Sequence, residues 1–265
     1  MQRCSHNLRR SLWLMVAAIL FVAIQPALVQ ARFDYAELKD DFDRLQVPHD
    51  AVYKLTGNSG IFELFDQGEL AIKLTNHCGF WQWIMHWSLS SSWSDQVFDS
   101  SSRYSWAGDG SVSFHHQRDQ VMQGMISPPD EHGLLHVRYE QSSTLQLILP
   151  EDAVHFLAER ALLLRQIDAG EASQSYHLFH GLEPYAEAAV SHLNDATGLP
   201  SWQGRLLHSY QIQYRKAQGS AQIRMILEGE MTSGGISKSF SLRKPEGVLD
   251  FELTSLRRFD LPVCN

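Results

Sequence analysis

The stretch "CGFWQWIMHW", Cys78 to Trp87, carries tryptophans at positions 81, 83 and 87, all on one parity. Successive side chains of an extended strand point to opposite faces. Read as one strand, the run puts three indoles on one face, with Phe80 and the smaller or polar Cys78, Gln82, His86 and Ser88 on the other. Two readings stand side by side. The indoles fill a β core, or Trp81, Trp83 and Trp87 line an apolar concave surface that holds a lipid, a lipoprotein or a peptide.

Outward from this run the chain continues to alternate. "AVYKLTG", "IFELF" and "ELAIKLTNH" precede it as extended segments with apolar residues at about every second position. Gly108, Asp109 and Gly110 predict a hairpin loop between Tyr104–Trp106 and Val112–His116. "GLLHVRYEQ", "STLQLIL", "RLLHSYQIQYRK", "AQIRMILEGEM", "ISKSFSLRK" and "LDFELTSLRRFD" follow the same rule, separated by the turn chemistry of "AQGS", "TSGG" and "KPEG". "EPYAEAAVSHLND" alternates as well and is assigned to a strand, although its alanines favour helix. One segment breaks the rhythm. "PEDAVHFLAERALLLRQIDAGE" has Pro150, Glu151 and Asp152 at its start and Gly170 at its end, with Val154, Leu157, Ala158, Ala161, Leu162 and Arg165 on one stripe. The spacing predicts an amphipathic helix over about 151–168, covering an open face or end of the sheet. "RFDYAELKDDFDRLQVPHD" reads as a short helix or an ordered tail. The simplest architecture is mostly β: one long, open, curved antiparallel sheet with one main helix.

The N-terminus sets the expected compartment. "MQRCSHNLRR" is basic, and "LWLMVAAILFVAI", Leu12 to Ile24, is an apolar core of secretory-signal length. Val29 and Ala31 fit a cleavage site, so the signal is assigned to 1–31, a tail to 32–46 and a single domain to 47–265. The apolar run falls short of the ~20 residues of a membrane span, so no stable anchor is expected after cleavage. The expected destination is the periplasm. Removing residues 1–31 leaves 19 basic against 30 acidic side chains, a formal charge of −11. Such a chain repels phosphate backbones, which excludes nucleic acid as a partner. Two cysteines remain, Cys78 and Cys264, and in an oxidising space they allow one intramolecular disulfide. Two buried thiols or intermolecular bonds are the alternatives.

Chemistry-bearing motifs are absent. No H-E-x-x-H, G-x-S-x-G, C-x-x-C, P-loop or dinucleotide-binding glycine pattern occurs, and no catalytic residue is assigned. His115 and His116 point to opposite strand faces, as do His177 and His180, while His132 and His136 stand about 13 Å apart along a strand. None of these converges as zinc requires, so neither a metal nor a cofactor is expected.

Four landmarks occur in order: "VPHDAVYKL" (Val47–Leu55), "CGFWQW" (Cys78–Trp83), "TLQLILPEDAVHFLAERALLL" (Thr144–Leu164) and "QIRMILEGEMTSGGISKSFSLRKPEGVLDFELTSLRRFDLPVC" (Gln222–Cys264). Together they resemble the EipB family of periplasmic cell-envelope integrity proteins, formerly a domain of unknown function. The resemblance implies a β-spiral, an open curved sheet with a helix, held by a disulfide that falls here on Cys78 and Cys264. It implies a non-enzymatic role in envelope integrity and stress resistance, as a binding scaffold, with a periplasmic tetratricopeptide-repeat protein or a lipoprotein as partner and lipid as a further ligand class. The middle departs from the pattern: within "DAGEASQSYHLFHGLEPYAEAAVSHLNDATG" only Phe179 and Gly181 suggest the family's phenylalanine-rich strand and glycine turn. The alternatives from other classes are a soluble lipid carrier with a lipocalin-like cavity and a hydrolase acting on an envelope polymer.

Overall fold

Asp34 starts the first element. Its carboxylate accepts hydrogen bonds from the backbone N–H groups of Ala36 and Glu37 and caps helix α1, Tyr35–Leu45. Tyr35, Leu38 and Phe42 recur at three- and four-residue spacing and are buried. Of the two readings of this segment, the short helix is the one it forms, docked by one apolar face. This computed structural model describes residues 33–118, 120–140, 146–170, 173–181, 187–193, 201–215 and 223–263. The signal segment and Cys264 lie outside the described residues.

After α1 the chain runs through β1 (His49–Gly60), β2 (Gln67–His77), β3 (Phe80–Ser90), β4 (Val97–Trp106), β5 (Val112–Gln117), β6 (Val121–Ile126), β7 (His136–Tyr139) and β8 (Gln146–Ile148). Each of these pairs antiparallel with the next. Then come β9 (Ala153–His155), helix α2 (Phe156–Ala169), β10 (Gln174–Phe179), β11 (Glu187–Leu193), β12 (Ser201–Trp202), β13 (Arg205–Arg215), β14 (Ile223–Thr232), β15 (Ser237–Lys244) and β16 (Gly247–Arg258). The hairpin expected around Gly108–Gly110 forms, with Trp106 opposite Val112, and the alternating "EAAVSHL" is strand β11. "IFELF" is not a strand. Ile61–Leu64 is a 3-10 turn, because Gly60 turns the chain at φ 64° and the Asn58 amide donates to the carbonyls of Phe62 and Phe65.

Fifteen strands follow one hydrogen-bonded path, β8-β7-β6-β5-β4-β3-β2-β1-β16-β15-β14-β13-β11-β10-β9, with β12 pairing off it to β13. Every pair is antiparallel except β9 with β10. The two edge strands, β8 and β9, are neighbours in the chain: Ile148 and Ala153 are five residues apart. At ~4.8 Å per strand a flat path of this length would be about 67 Å wide. Five residues span at most about 18 Å. The sheet must therefore curl until its edges nearly meet, and among the described residues no ladder closes them. This is the open, spiral form of a barrel. Gly229 marks one tight place in the curl, since a Cβ there would sit 2.4 Å from the Ser239 carbonyl and 2.9 Å from the Phe240 Cβ.

α2 fills the inside of the curl, which corrects the expectation of an amphipathic helix over 151–168. It begins later, at Phe156, because Ala153–His155 is taken up as a parallel strand beside β10. The His155 imidazole is its N-cap, accepting from the Ala158 N–H at 3.1 Å. Leu157, Ala158, Glu159, Ala161 to Leu164, Gln166 and Ile167 are all buried, so the helix has no broad solvent face. A helix buried on nearly all sides needs no polar stripe. The core that surrounds it takes inward residues from almost every strand, among them Tyr53, Leu74, Trp81, Trp106, Val137, Tyr176 and Phe251.

Candidate functional site

The tryptophan parity places all three indoles on the inner face, and the protein's own helices cover that face. Trp81 is fully buried, edge-on to Phe42 of α1 at 5.1 Å, with its indole N–H donating to Asp43. Trp83 packs against Phe156 at 5.5 Å and lies under the Arg160 guanidinium at 4.9 Å. Trp87 is half-buried against Phe251 and Phe240, at 5.4 and 6.4 Å. An open groove floored by Trp81 and Trp83 is thus not what these residues form. They are core, and Trp87 alone reaches the partly covered region.

The interior also carries polar groups that the residue pattern did not single out. Glu159 on α2 accepts hydrogen bonds from the hydroxyls of Tyr176 and Tyr214, at 2.9 and 3.1 Å, which ties the helix to β10 and β13. Arg160, the next residue, donates to the Gly235 carbonyl at 2.5 Å. Burial weakens its hold on its proton, while nearby Tyr210, Tyr53 and Glu159 act the other way. The visible signal in the sequence was a charged pair, Glu159–Arg160, set inside an apolar run that needed partners.

Histidines are distributed as structural groups. His116 Nε2 lies 2.7 Å from the His180 carbonyl and Nδ1 lies 2.8 Å from the Ser102 hydroxyl. The carbonyl only accepts, so Nε2 carries the proton and Ser102 donates to Nδ1. A serine donating to a histidine is the pairing a nucleophile uses. Here both residues are buried, and desolvation pushes the imidazole down to about 4, which makes it a poor base at neutral pH. His115 points to the other face, towards Gln123. His177 holds Asp152 at 2.7 Å, pinning β10 beside β9, and His136 holds Asp130 at 2.8 Å. Among the described residues no three His, Cys, Asp or Glu side chains gather as a metal site, and no helix is long and apolar enough to cross a membrane.

Both ends of the spiral expose apolar side chains, Leu206, Leu261 and Val263 among them at the end where β16 stops, but only one end exposes a tryptophan among the described residues. At one end, Ile61 and Leu64 in the β1–β2 connection and Trp93 and Val97 at the β3–β4 connection are exposed; Ile61, Trp93 and Val97 are 57, 63 and 68 % accessible. These connections are joined, since Asp66 accepts from both the N–H and the hydroxyl of Ser92. At the other end lie α1, the β2–β3 turn with Cys78 at φ 55°, and the last residues after β16. Cys78 is disulfide-bonded. Between the ends, an open depression of about 400 Å³ crosses β13–β16 beside Glu228, Glu230, Asp250 and Glu252. Arg243 pairs with Glu228 and Lys238 with Glu230.

No known family's model matches the chain, and no curated protein does. Among solved structures, the crystal structure of a β-barrel-like protein of the domain of unknown function DUF1849, from Brucella abortus, superposes with a TM-score of 0.69 at 15 % identity, over 82 % of this chain and 99 % of that one. The likeness is one of fold.

Proposed function

We propose that this protein is an exported, non-catalytic binding scaffold that supports the bacterial cell envelope, related to the EipB-type proteins its sequence resembles. The observation that carries the reading is an exposed tryptophan, Trp93, grouped with aliphatic side chains at one end of the sheet. α2 occupies the inside of the curl, which argues against a soluble carrier with a lipocalin-like cavity, and the large exposed apolar side chains Ile61, Leu64, Trp93 and Val97 share one end of the sheet. An exposed tryptophan rimmed by aliphatic residues is a protein-contact feature rather than a core feature. The partner class is a periplasmic tetratricopeptide-repeat protein or a lipoprotein.

The Cys78–Cys264 disulfide belongs to the same reading. β16 and β2 run in the same direction on either side of β1, and His49 pairs with both Arg258 and Leu74, which sets those two level. Four residues lead from Leu74 to Cys78, and six lead from Arg258 to Cys264. Two strand spacings, about 10 Å, are within the reach of six residues, about 20 Å. The bond would clamp the tail across the start of β1.

The test is site-specific photocrosslinking in living cells, with the probe at Trp93 and a control probe at exposed Thr254 on β16. The expected result is a discrete protein adduct from position 93 and none from position 254. Adducts absent from position 93, or equal at both positions, refute the docking end. Recovery of the mature chain without its first 31 residues, from the periplasm, tests export.

A further inference from the structure

We infer a binding site for a phosphate group, formed by Arg160, Arg205 and Arg258 around the β14–β15 turn at the disulfide end of the spiral. It rests on residues separate from the Trp93 end, so either reading can fail without the other.

The turn is Thr232–Ile236. Thr232 N–H donates to the Ile236 carbonyl at 2.9 Å, and Gly235 N–H donates to the Thr232 carbonyl at 2.9 Å. Its two glycines are buried, and two guanidinium groups approach them. Arg160 reaches Gly235 from the interior, donating to its carbonyl. Arg205 comes from the start of β13, with Nη1 3.2 Å from the position a Cβ would take on Gly234. Arg258 ends β16, opposite His49, and its Nη2 donates to the Gln203 side chain at 3.2 Å. The three are linked electrically as well as by the chain. Desolvation and the charge of Arg205 both lower the proton affinity of Arg258, and both Arg160 and Arg258 help to hold the His49 imidazole neutral.

What marks this cluster is that three guanidiniums lie around one turn with no carboxylate paired to them among the described residues. In a chain with 30 acidic and 22 basic residues, arginines find carboxylates easily. Arg44 pairs with Asp41 and Asp168, Arg165 with Asp41, Arg243 with Glu228 and Arg257 with Asp50. Arg160, Arg205 and Arg258 pair with none among the described residues. The carboxylates nearby are already engaged: Glu159 is held by two tyrosine hydroxyls, and Asp50, beside His49, pairs with Arg257. The Nε atoms of Arg160 and Arg258 are buried and make no hydrogen bond. A buried guanidinium N–H without an acceptor is costly, and two neighbouring guanidiniums repel. An oxyanion removes both penalties, and the guanidinium fork matches phosphate oxygens two at a time. Three positive charges beside carboxylates that already have partners suit a phosphate better than a single carboxylate ligand. The arginines are partly accessible, so a phosphate can reach them from solvent, either free or as the headgroup of a lipid.

The test uses the mature, oxidised protein. Calorimetric titration is made with inorganic phosphate and with glycerol 3-phosphate, against sodium chloride and acetate at matched ionic strength, and by flotation with phosphatidylglycerol and phosphatidylcholine vesicles. Saturable phosphate binding is expected, with chloride and acetate giving none. Each of Arg205→Gln and Arg258→Gln, both at partly accessible positions, is expected to weaken it about tenfold, the weight of one charge-assisted hydrogen bond. Circular dichroism confirms that these variants keep the fold. Flotation with phosphatidylglycerol that is lost in both variants identifies a lipid headgroup as the source; binding of the soluble phosphates without flotation identifies a free one. Heat evolved equally by chloride, or phosphate affinity unchanged in both variants, overturns the site.

Discussion

Acidification should unfold this protein through three buried histidines. His49, His116 and His155 are held neutral in the fold, with pKa values pushed down to about 4, about 4 and about 3. Desolvation is the largest cause in each; for His49 the positive charges of Arg160 and Arg258 add to it, and for His116 those of His180 and His115. In the unfolded chain an imidazole titrates near 6.5. Above that value both states are neutral and the three groups contribute no pH dependence. Below it the unfolded chain binds protons that the folded chain refuses, so stability falls until the pH reaches the folded-state values. The window therefore runs from about pH 6.5 down to about 4. Each unit inside it costs up to ~1.4 kcal/mol per histidine. At pH 5 the three together remove about 6 kcal/mol, with His116 weighing least because it is the least desolvated. That is comparable to the whole stability of an ordinary domain, about 5–15 kcal/mol.

The assay is denaturant unfolding, followed by tryptophan fluorescence, at half-unit steps from pH 7.5 to 4.5. The expected slope below pH 6 approaches 4 kcal/mol per unit. His49→Gln should remove about one third of that slope, because glutamine fills the site without taking up a proton. NMR of the folded protein should show these three imidazoles still neutral at pH 5. A loss below about 2 kcal/mol between pH 7 and 5, or imidazoles that titrate near 6.5 in the fold, would refute the reasoning.

Three other outcomes follow from the packing. Phe42→Ala should cost about 3–5 kcal/mol in denaturant unfolding, because it empties the contact between α1 and the rings of Trp81 and Trp106. Gly124→Ala should cost about 1–3 kcal/mol by the same assay, since its Cβ would lie 2.5 Å from the Arg138 carbonyl and 2.6 Å from Phe114 Cζ. Cys78→Ser should expose Cys264 to thiol labelling under denaturing, non-reducing conditions and should lower stability by at most about 5 kcal/mol, the entropic ceiling for so long a loop.

The strands were legible because their side chains alternate, and alternation survives whatever lies on either face. The parity of Trp81, Trp83 and Trp87 identified the inner face correctly for the same reason. What lies against that face was not legible from the strand itself. It depends on α1 and α2, which come from distant parts of the chain, and nothing in "FWQWIMHW" distinguishes an indole packed against Phe42 from one facing an empty groove. Nor could alternation show that "IFELF" would turn: its apolar residues fit a strand, and the amide of Asn58, outside the segment, bends it.

The helix shows where a stronger reading of the sequence was available. Val154, Leu157, Ala158, Ala161, Leu162 and Arg165 make a stripe, which suggested one buried side. Yet "ALLL", residues 161–164, covers more than a full turn with apolar residues, so no direction around the axis stays polar there. Such a helix must be enclosed, and in a chain that is otherwise mostly strand a sheet curling around it does so. The same logic explains the charges it carries. Glu159 points into a wall of tyrosines and Arg160, partly accessible, reaches a glycine turn, and each needs an acceptor or donor that the fold must supply. The fold satisfies Glu159 with two hydroxyls and gives Arg160 one carbonyl and the face of Trp83, with its Nε unbonded. The guanidinium of Arg160, with Arg205 and Arg258 beside the same turn, is where the interior of this protein departs from apolar packing alone.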